Sequence, residues 1–247
     1  MIKAETTDMS SVFINGYDIY KAYCGEDIVW EKSTTVFDND NVEYRVKNYI
    51  TAKGYSSFAT TPITGKSTDL IEIGFTITTR VSTNYCWIIG YYTSESNRFG
   101  IYPRTSSSNT FTIDFWRGSG SSSRKTTSVT STTNKRFNLV VGNPSPTAAN
   151  QGYAYDVSSK TTLVTSGTTI NTTTSSLKYV VSENRSGKAN NIVNYDYIRI
   201  YKQNNGEKTL ALYWIPVQRV SDDVWGFYDM VTKNFHPSEG SAQFTGG

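Results

Sequence analysis

The stretch Ile71-Glu72-Ile73-Gly74-Phe75-Thr76-Ile77-Thr78 decides the fold. Apolar and polar residues alternate through it with a period of two. In a strand, successive side chains point to opposite faces, so this is a half-buried strand with Ile71, Ile73, Phe75 and Ile77 inward. The same beat recurs along the chain. Cys86 to Tyr92 is apolar on both faces, which predicts a central strand. Phe99 and Ile101 begin another. Phe111, Ile113 and Phe115 alternate with Thr112, Asp114 and Trp116. Phe137, Leu139 and Val141 alternate with Asn138 and Val140, and Leu177, Tyr179 and Val181 repeat the pattern. Ile198 and Ile200 alternate with Tyr197, Arg199 and Tyr201, and Leu210, Leu212 and Trp214 close the series before Pro216. Many short strands between turn signals indicate an all-β protein, a sandwich, barrel or jelly roll. No helix of more than two turns is expected.

Composition points the same way. The 247 residues include 29 Ser, 34 Thr and 19 Asn, a third of the chain, against only 6 Leu and 10 Ala. Ser, Thr and Asn compete with the helix through local hydrogen bonds, whereas Thr, Tyr, Ile, Val and Phe suit a pleated surface. Of the 34 aromatic residues 18 are Tyr, enough large apolar groups to argue against disorder. The net charge of +3 is too small and dispersed to imply nucleic acid. The apolar runs are a few residues long, so no transmembrane helix is expected. The first 30 residues lack an apolar leader segment, so no cleaved secretory signal is expected. Cys24 and Cys86 are expected as buried free thiols, with a disulfide between them left open. Only Asn171 and Asn184 begin an Asn-X-Ser/Thr sequon, so the Ser/Thr richness does not mark N-glycosylation.

Residues 1–32 read as a small β-meander. Val12 to Ile14, an Asn15-Gly16 turn, Tyr17 to Tyr23, a Gly25-Glu26 turn and Ile28-Val29-Trp30 make three short strands. Strands this short need a surface to pack on. Either they are the first strands of the main domain, or they form a docking arm that seats Phe13, Ile14, Tyr17, Tyr20, Tyr23, Ile28 and Trp30 on a partner. Residues 33–247 are then one sandwich domain. Within it, Ser119 to Asn134 and Ser158 to Ser176 are almost pure Ser/Thr with a few bases, and are expected as edge strands with loose tips.

Several chemistries lack their residues. The single histidine, His236, sits beside Pro237 and is expected as a surface or turn residue. No Gly-X-Ser-X-Gly elbow accompanies it, and one His with two distant Cys cannot supply a zinc site. Arg117-Gly118-Ser119-Gly120 begins like a phosphate loop but leads into Ser-rich sequence without a Lys. Glycoside hydrolysis needs two carboxyl groups across the bond. The spacing Glu-X-Asp-X-X-Glu occurs nowhere, which leaves Glu72 and Asp114 on solvated strand faces. No cofactor is expected. Calcium is the one ion for which oxygen ligands are at hand, in Asp38, Asn39, Asp40, Asp222 and Asp223.

Two segments resemble known proteins. Leu210-Ala-Leu-Tyr-Trp-Ile-Pro-Val-Gln-Arg-Val, then Val224-Trp-Gly-Phe-Tyr-Asp-Met-Val-Thr-Lys-Asn-Phe-His and Gly240-Ser-Ala-Gln-Phe-Thr-Gly, resemble the ending of concanavalin A-like lectin/laminin-G-like domains in bacteriophage virion proteins. Pro216, Arg219, Gly226, Tyr228, Asp229, Phe235, Gly240 and Phe244 carry the match. Asn194-Tyr-Asp-Tyr-Ile-Arg-Ile-Tyr looks like the strand before that ending, and Ile71 to Thr79 like an early core strand. Tyr17 to Glu31 is similar to a short module that opens many phage tail and virion proteins. The resemblance implies a concanavalin A-like jelly roll and a non-enzymatic virion protein (fibre, capsid decoration or tail component) that docks through residues 1–32 to other virion proteins and to copies of itself.

A host-surface glycan is the natural ligand of such a protein, held by aromatic faces and short polar side chains. Trp87, Tyr91, Trp116 and Arg117 are the expected contacts, with Trp87 also suited to the core. The alternatives are a glycan hydrolase or lyase on the same fold, or a bacterial surface adhesin.

Overall fold

The computed structural model describes residues 12–14, 17–19, 21–24, 27–31, 35–66, 68–79, 87–94, 97–105, 110–117, 124–126, 131–142, 153–157, 161–165, 177–182, 191–204 and 207–247. The deciding strand, Leu70–Thr79, lies inside the larger of two main sheets. Arg136–Gly142 pairs along one edge of it and Ile192–Asn204 along the other. Beyond Arg136–Gly142 come Tyr153–Asp156 and Thr161–Thr165. In the other direction, Ile192–Asn204 makes a long hairpin with Glu207–Arg219, followed by Trp225–Asp229 and Asn234–Pro237. The smaller sheet runs Arg124–Thr126, Thr110–Arg117, Asn97–Thr105, Ile89–Ser94, Lys178–Val181, Ala59–Thr64. These pairings are antiparallel. The helix described is one 3-10 turn at Gly54–Ser56.

The two sheets share one core. Ile71, Ile73, Phe75, Ile77, Phe137, Leu139, Ile198, Ile200, Leu212 and Trp214 enter it from the larger sheet. Ala59, Ile89, Tyr91, Ile101, Ile113, Tyr179 and Val181 enter from the smaller. That is an antiparallel β-sandwich, with the apolar phase of each strand turned inward. Both Ser/Thr-rich stretches lie at sheet edges in their described parts. Arg124–Thr126 and Ser131–Thr132 pair along Thr110–Arg117, and Thr161–Thr165 ends the larger sheet.

One irregularity sorts the side chains of the long hairpin. Tyr195 pairs with Phe75 and Tyr197 with Gly74, so Asp196 is an extra residue on its strand. A bulge of this kind shifts the phase of alternation by one. Before it, Val193 and Tyr195 are buried; after it, Ile198 and Ile200 are. Tyr195 and Tyr197, two residues apart, therefore face opposite ways. The Tyr195 hydroxyl donates to the Ile88 carbonyl in the smaller sheet at 2.8 Å.

Glu207–Arg219 continues through Pro216 and past the sandwich. Its far end pairs with Glu43–Val46, which in turn pairs with Thr35–Phe37. Proline lacks a ladder donor and is tolerated only where none is needed. The Pro216 carbonyl accepts from the Lys47 amide at 2.9 Å. Its nitrogen faces the same side, where the pairing partner changes from Ile192–Asn204 to Glu43–Val46. Alternation along this strand feeds two cores. Leu212 and Trp214 enter the main one, while Ile215 and Val217 join Tyr44, Tyr228 and Phe235 in a second cluster. Ile50–Lys53 pairs with both Ile192–Asn204 and Thr245–Gly246, so the two ends of the domain close on each other.

The C-terminal motif residues hold this annex together. A Cβ on Gly226 would lie 2.4 Å from the Phe235 ring, and one on Gly240 would lie 2.2 Å from the Ser56 carbonyl. The Asp229 carboxylate is fully buried. It accepts from the amides of Tyr213 and Val231 and the hydroxyl of Thr232, at 3.2, 3.0 and 2.8 Å. The Tyr228 hydroxyl donates to the Phe37 carbonyl. Phe235 stacks on Tyr44 at 4.8 Å, and Phe244 meets the edge of Phe227 at 5.5 Å. Arg219 grips Asp222 through two nitrogens, at 2.8 and 2.6 Å.

Two expectations are corrected. Among the described N-terminal residues, Val12–Ile14 pairs with Tyr17–Ile19 and Lys21–Cys24 with Asp27–Glu31, as two two-stranded pairs and not one three-stranded meander. His236 is not a surface residue. It lies within Asn234–Pro237, half-buried, with its ring 4.7 Å from that of Trp214.

Candidate ligand face

The bulge at Asp196 turns Tyr197, Arg199 and Tyr201 onto the outer face of the larger sheet. Register sets their neighbours there. Tyr197 lies across from Gly74, and Arg199 lies between Glu72 and Tyr213. Gly74 has no side chain, and the Tyr197 ring occupies that space; a Cβ on Gly74 would meet the ring at 2.6 Å. An aromatic laid over a strand glycine restores cross-strand packing and presents its opposite face outward.

Arg199 is held by stacking and by the hydroxyls of Tyr213 and Tyr201. Its guanidinium carbon lies 4.4 Å from the centroid of the Tyr213 ring and 5.2 Å from that of Tyr197. Glu72 approaches one guanidinium nitrogen at 3.5 Å. Glu72 also accepts from the Tyr201 hydroxyl at 3.1 Å and from Lys208 at 3.2 Å. Lys208 caps the Tyr201 ring at 3.8 Å. The face is thus three tyrosines, two cations and one carboxylate, all partly open to solvent. Burial pushes the Tyr197 phenol up to about 12. Burial, and then the Glu72 charge, pushes that of Tyr201 up to about 12. Both stay neutral at physiological pH and keep a hydroxyl to donate.

An ion pair pins the rim. Arg136 holds the bulge residue Asp196 at 2.7 Å, and burial raises that carboxyl against the pull of Arg136. On the inner side of the same strand, Lys202 bridges to the smaller sheet: it reaches the buried Asp69 at 2.7 Å, where the Tyr179 hydroxyl also donates at 2.8 Å, and the Thr64 carbonyl at 2.6 Å. A flat aromatic–guanidinium surface of this kind can stack on an apolar ring face while its N–H and O–H groups donate to oxygens.

The residues expected to touch ligand lie elsewhere. Trp87 and Tyr91 are 1% and 6% exposed and belong to the packing of the sandwich. Trp87 fills the space over Gly100, where a Cβ would meet it at 2.0 Å, and Tyr91 fills that over Gly65, at 2.4 Å. Trp116 and Arg117 end the strand Thr110–Arg117, paired with Gly100 and Phe99; their side chains lie outside the described residues, as does that of Asp114. Phe13, Ile14, Tyr17, Tyr23, Ile28 and Trp30 fall in the two N-terminal hairpins, of which the backbone alone is described. Tyr20 and Cys86 lie outside the described residues, as does the side chain of Cys24.

Two of the carboxylates expected to offer calcium ligands, Asp38 and Asp222, are used by their own loops. Asp38 accepts from the amides of Asp40 and Val42, each at 2.9 Å, and from the Tyr44 hydroxyl at 2.7 Å. Asp222 holds Arg219. Among the described residues, no three His, Cys, Asp or Glu side chains converge to hold a metal.

Sequence reading passed over Tyr197, Arg199, Tyr201, Lys208 and Tyr213 as the outward phase of two strands. The signal was the Tyr-X-Arg-X-Tyr run itself, since outward positions usually carry Thr, Ser or Lys. No helix among the described residues is long and apolar enough to cross a membrane. A scan against protein-family models gives no match, and no curated protein is significantly similar to the chain.

Proposed function

We propose that this chain is a non-enzymatic structural protein of a bacteriophage particle, a fibre, decoration or tail component. Its sandwich, read as the concanavalin A-like variant, binds a host-surface glycan on the outer face of the larger sheet. The carrying observation is the surface of Tyr197, Arg199 and Tyr213 laid over Gly74. Sugars are held by flat aromatic faces flanked by hydrogen-bond donors, and this face has both.

Two further observations support the reading. The residues that carry the resemblance to virion domains, from Pro216 to Phe244, fill structural roles in the second cluster and at its junction with the main core. Six of the described carboxylates are also committed: Glu72 to Arg199 and Lys208, Asp69 to Lys202, Asp196 to Arg136, Asp222 to Arg219, and Asp38 and Asp229 to their own turns. A glycosidase needs two carboxyl groups facing a shared gap. The N-terminal hairpins are the segment that docks to other virion proteins.

Two measurements test this. Mass spectrometry of purified particles should find the intact chain, and its absence would remove the virion assignment. The purified protein on an oligosaccharide array should bind a subset of glycans without releasing reducing sugar. Release of reducing ends would instead establish the hydrolase alternative.

A further inference from the structure

We infer that the ligand of this face carries a carboxylate: an acidic glycan of the uronic- or sialic-acid type rather than a neutral one. The inference rests on the glycan reading above and narrows it. Its basis is the charge and geometry around Arg199. Among the described residues, two cations, Arg199 and Lys208, share one carboxylate, Glu72, which leaves this part of the face with an excess positive charge. The ion pair at its rim, Arg136 with Asp196, balances internally.

The guanidinium is oriented by the Tyr197 and Tyr213 rings and by the Tyr213 and Tyr201 hydroxyls, and not by a bidentate carboxylate. Glu72 reaches a single nitrogen, at 3.5 Å, far from the two short parallel bonds of a bidentate pair. By contrast, Arg219 makes that bidentate grip with Asp222 at 2.8 and 2.6 Å. A guanidinium presents five donors in a rigid plane that matches a carboxylate. Those contacts do not fill the five donors, so a guanidinium with donors to spare is left pre-oriented on a partly open face, with side-chain exposure of 28% at Arg199 and 41% at Lys208. Pre-orientation lowers the entropy lost when a ligand binds. The faces of Tyr197 and Tyr213 on either side supply the stacking surface for the sugar ring that bears the carboxylate.

The test is titration calorimetry with the whole chain. The probes are a uronic-acid trisaccharide, a sialyl-terminated trisaccharide, and their carboxyl-reduced or desialylated counterparts. The expected result is binding of at least one acidic probe and at least tenfold weaker binding of its neutral counterpart. Arg199→Gln should weaken the acidic probe about tenfold or more and the neutral one by a clearly smaller factor. Arg199→Lys, which keeps the charge and loses the fork, should fall between the two. Lys208→Gln, at an exposed position, should weaken it by a smaller factor, and binding should fall with added salt. Thermal melts of each variant separate lost binding from lost folding. Equal affinity for acidic and neutral probes, or no change in Arg199→Gln, would overturn the inference and leave the glycan reading standing. A glycan array on which nothing binds would overturn both.

Discussion

The inner and outer faces of the larger sheet are built from the same strands by different rules. Inward, Ile71, Ile73, Phe75, Ile198, Ile200, Leu212 and Trp214 are sealed from water. Their identity is set by volume and apolarity, as in any close-packed core. Outward, Glu72, Gly74, Tyr197, Arg199, Tyr201 and Tyr213 form a polar–aromatic layer whose members are specified by each other. Gly74 is small because Tyr197 lies on it, and Glu72 is placed where Tyr201, Lys208 and Arg199 meet. The difference teaches which substitutions should damage the fold and which should damage recognition.

The comparison is broken most severely at the bulge. Deleting Asp196 removes the extra residue that separates the two phases of Ile192–Asn204. Either Val193 and Tyr195 or Ile198 and Ile200 must then turn outward. The deletion should give no soluble, cooperatively melting protein, as read by circular dichroism and a thermal scan. A normal melt would mean that the two faces are not set by this bulge.

Next in size is the inner face. Trp214→Ala removes a fully buried indole stacked on Phe227 at 4.9 Å. The expected loss is about 3–5 kcal/mol, measured by urea unfolding. The annex provides a smaller effect of another kind. Asp229→Ala strands two backbone amides and the Thr232 hydroxyl. It should cost about 2–3 kcal/mol, and Asp229→Asn should recover part of it.

His236 sharpens the same contrast through pH. Its Nε2 is buried and finds no hydrogen-bond partner among the described residues, and its ring packs on Trp214. Burial pulls its pKa below the ordinary 6.5, against the opposing charges of Asp229 and Glu239. The unfolded chain therefore takes up the proton first, and stability falls as pH drops through 6.5 until the folded-state value is passed. Melting temperature should decrease from pH 7.5 to pH 5.5, with Trp fluorescence reporting the change. As the chain has one His, His236→Gln should flatten that slope. An unaltered slope in the variant would place the proton uptake elsewhere.

Much of the inner face was legible in the sequence, and little of the outer. Alternation in Ile71 to Thr78 marks burial directly, because every inward position is answered by an apolar residue. Asp196 is invisible to that reading. One extra residue in Asn194-Tyr195-Asp196-Tyr197 changes no composition, and only pairing with Phe75 and Gly74 shows which Tyr turns in. Trp87 and Tyr91 were expected at a ligand because large aromatics suit sugars, but the glycines that receive them, Gly100 and Gly65, lie on other strands. The annex was legible as a motif and not as a second core. Pro216 reads as a stop until its place at a change of pairing partner is seen. The position of His236 was missed because flanking Asn and Pro signal a turn, whereas Trp214 is brought to it by the sheet.

The central claim is that the outer face is spared from folding so that it can bind. Tyr213→Ala tests it most directly, with melting temperature and acidic-glycan affinity measured on the same sample. Removing a partly exposed cross-strand aromatic should cost about 1 kcal/mol or less, a shift of roughly 2–4 °C for a domain of this size. With Arg199 no longer stacked on that side, affinity for the acidic probe should fall about tenfold. A melt lowered by more than 10 °C with affinity intact would contradict the claim and make the outer face part of what holds the sheet together.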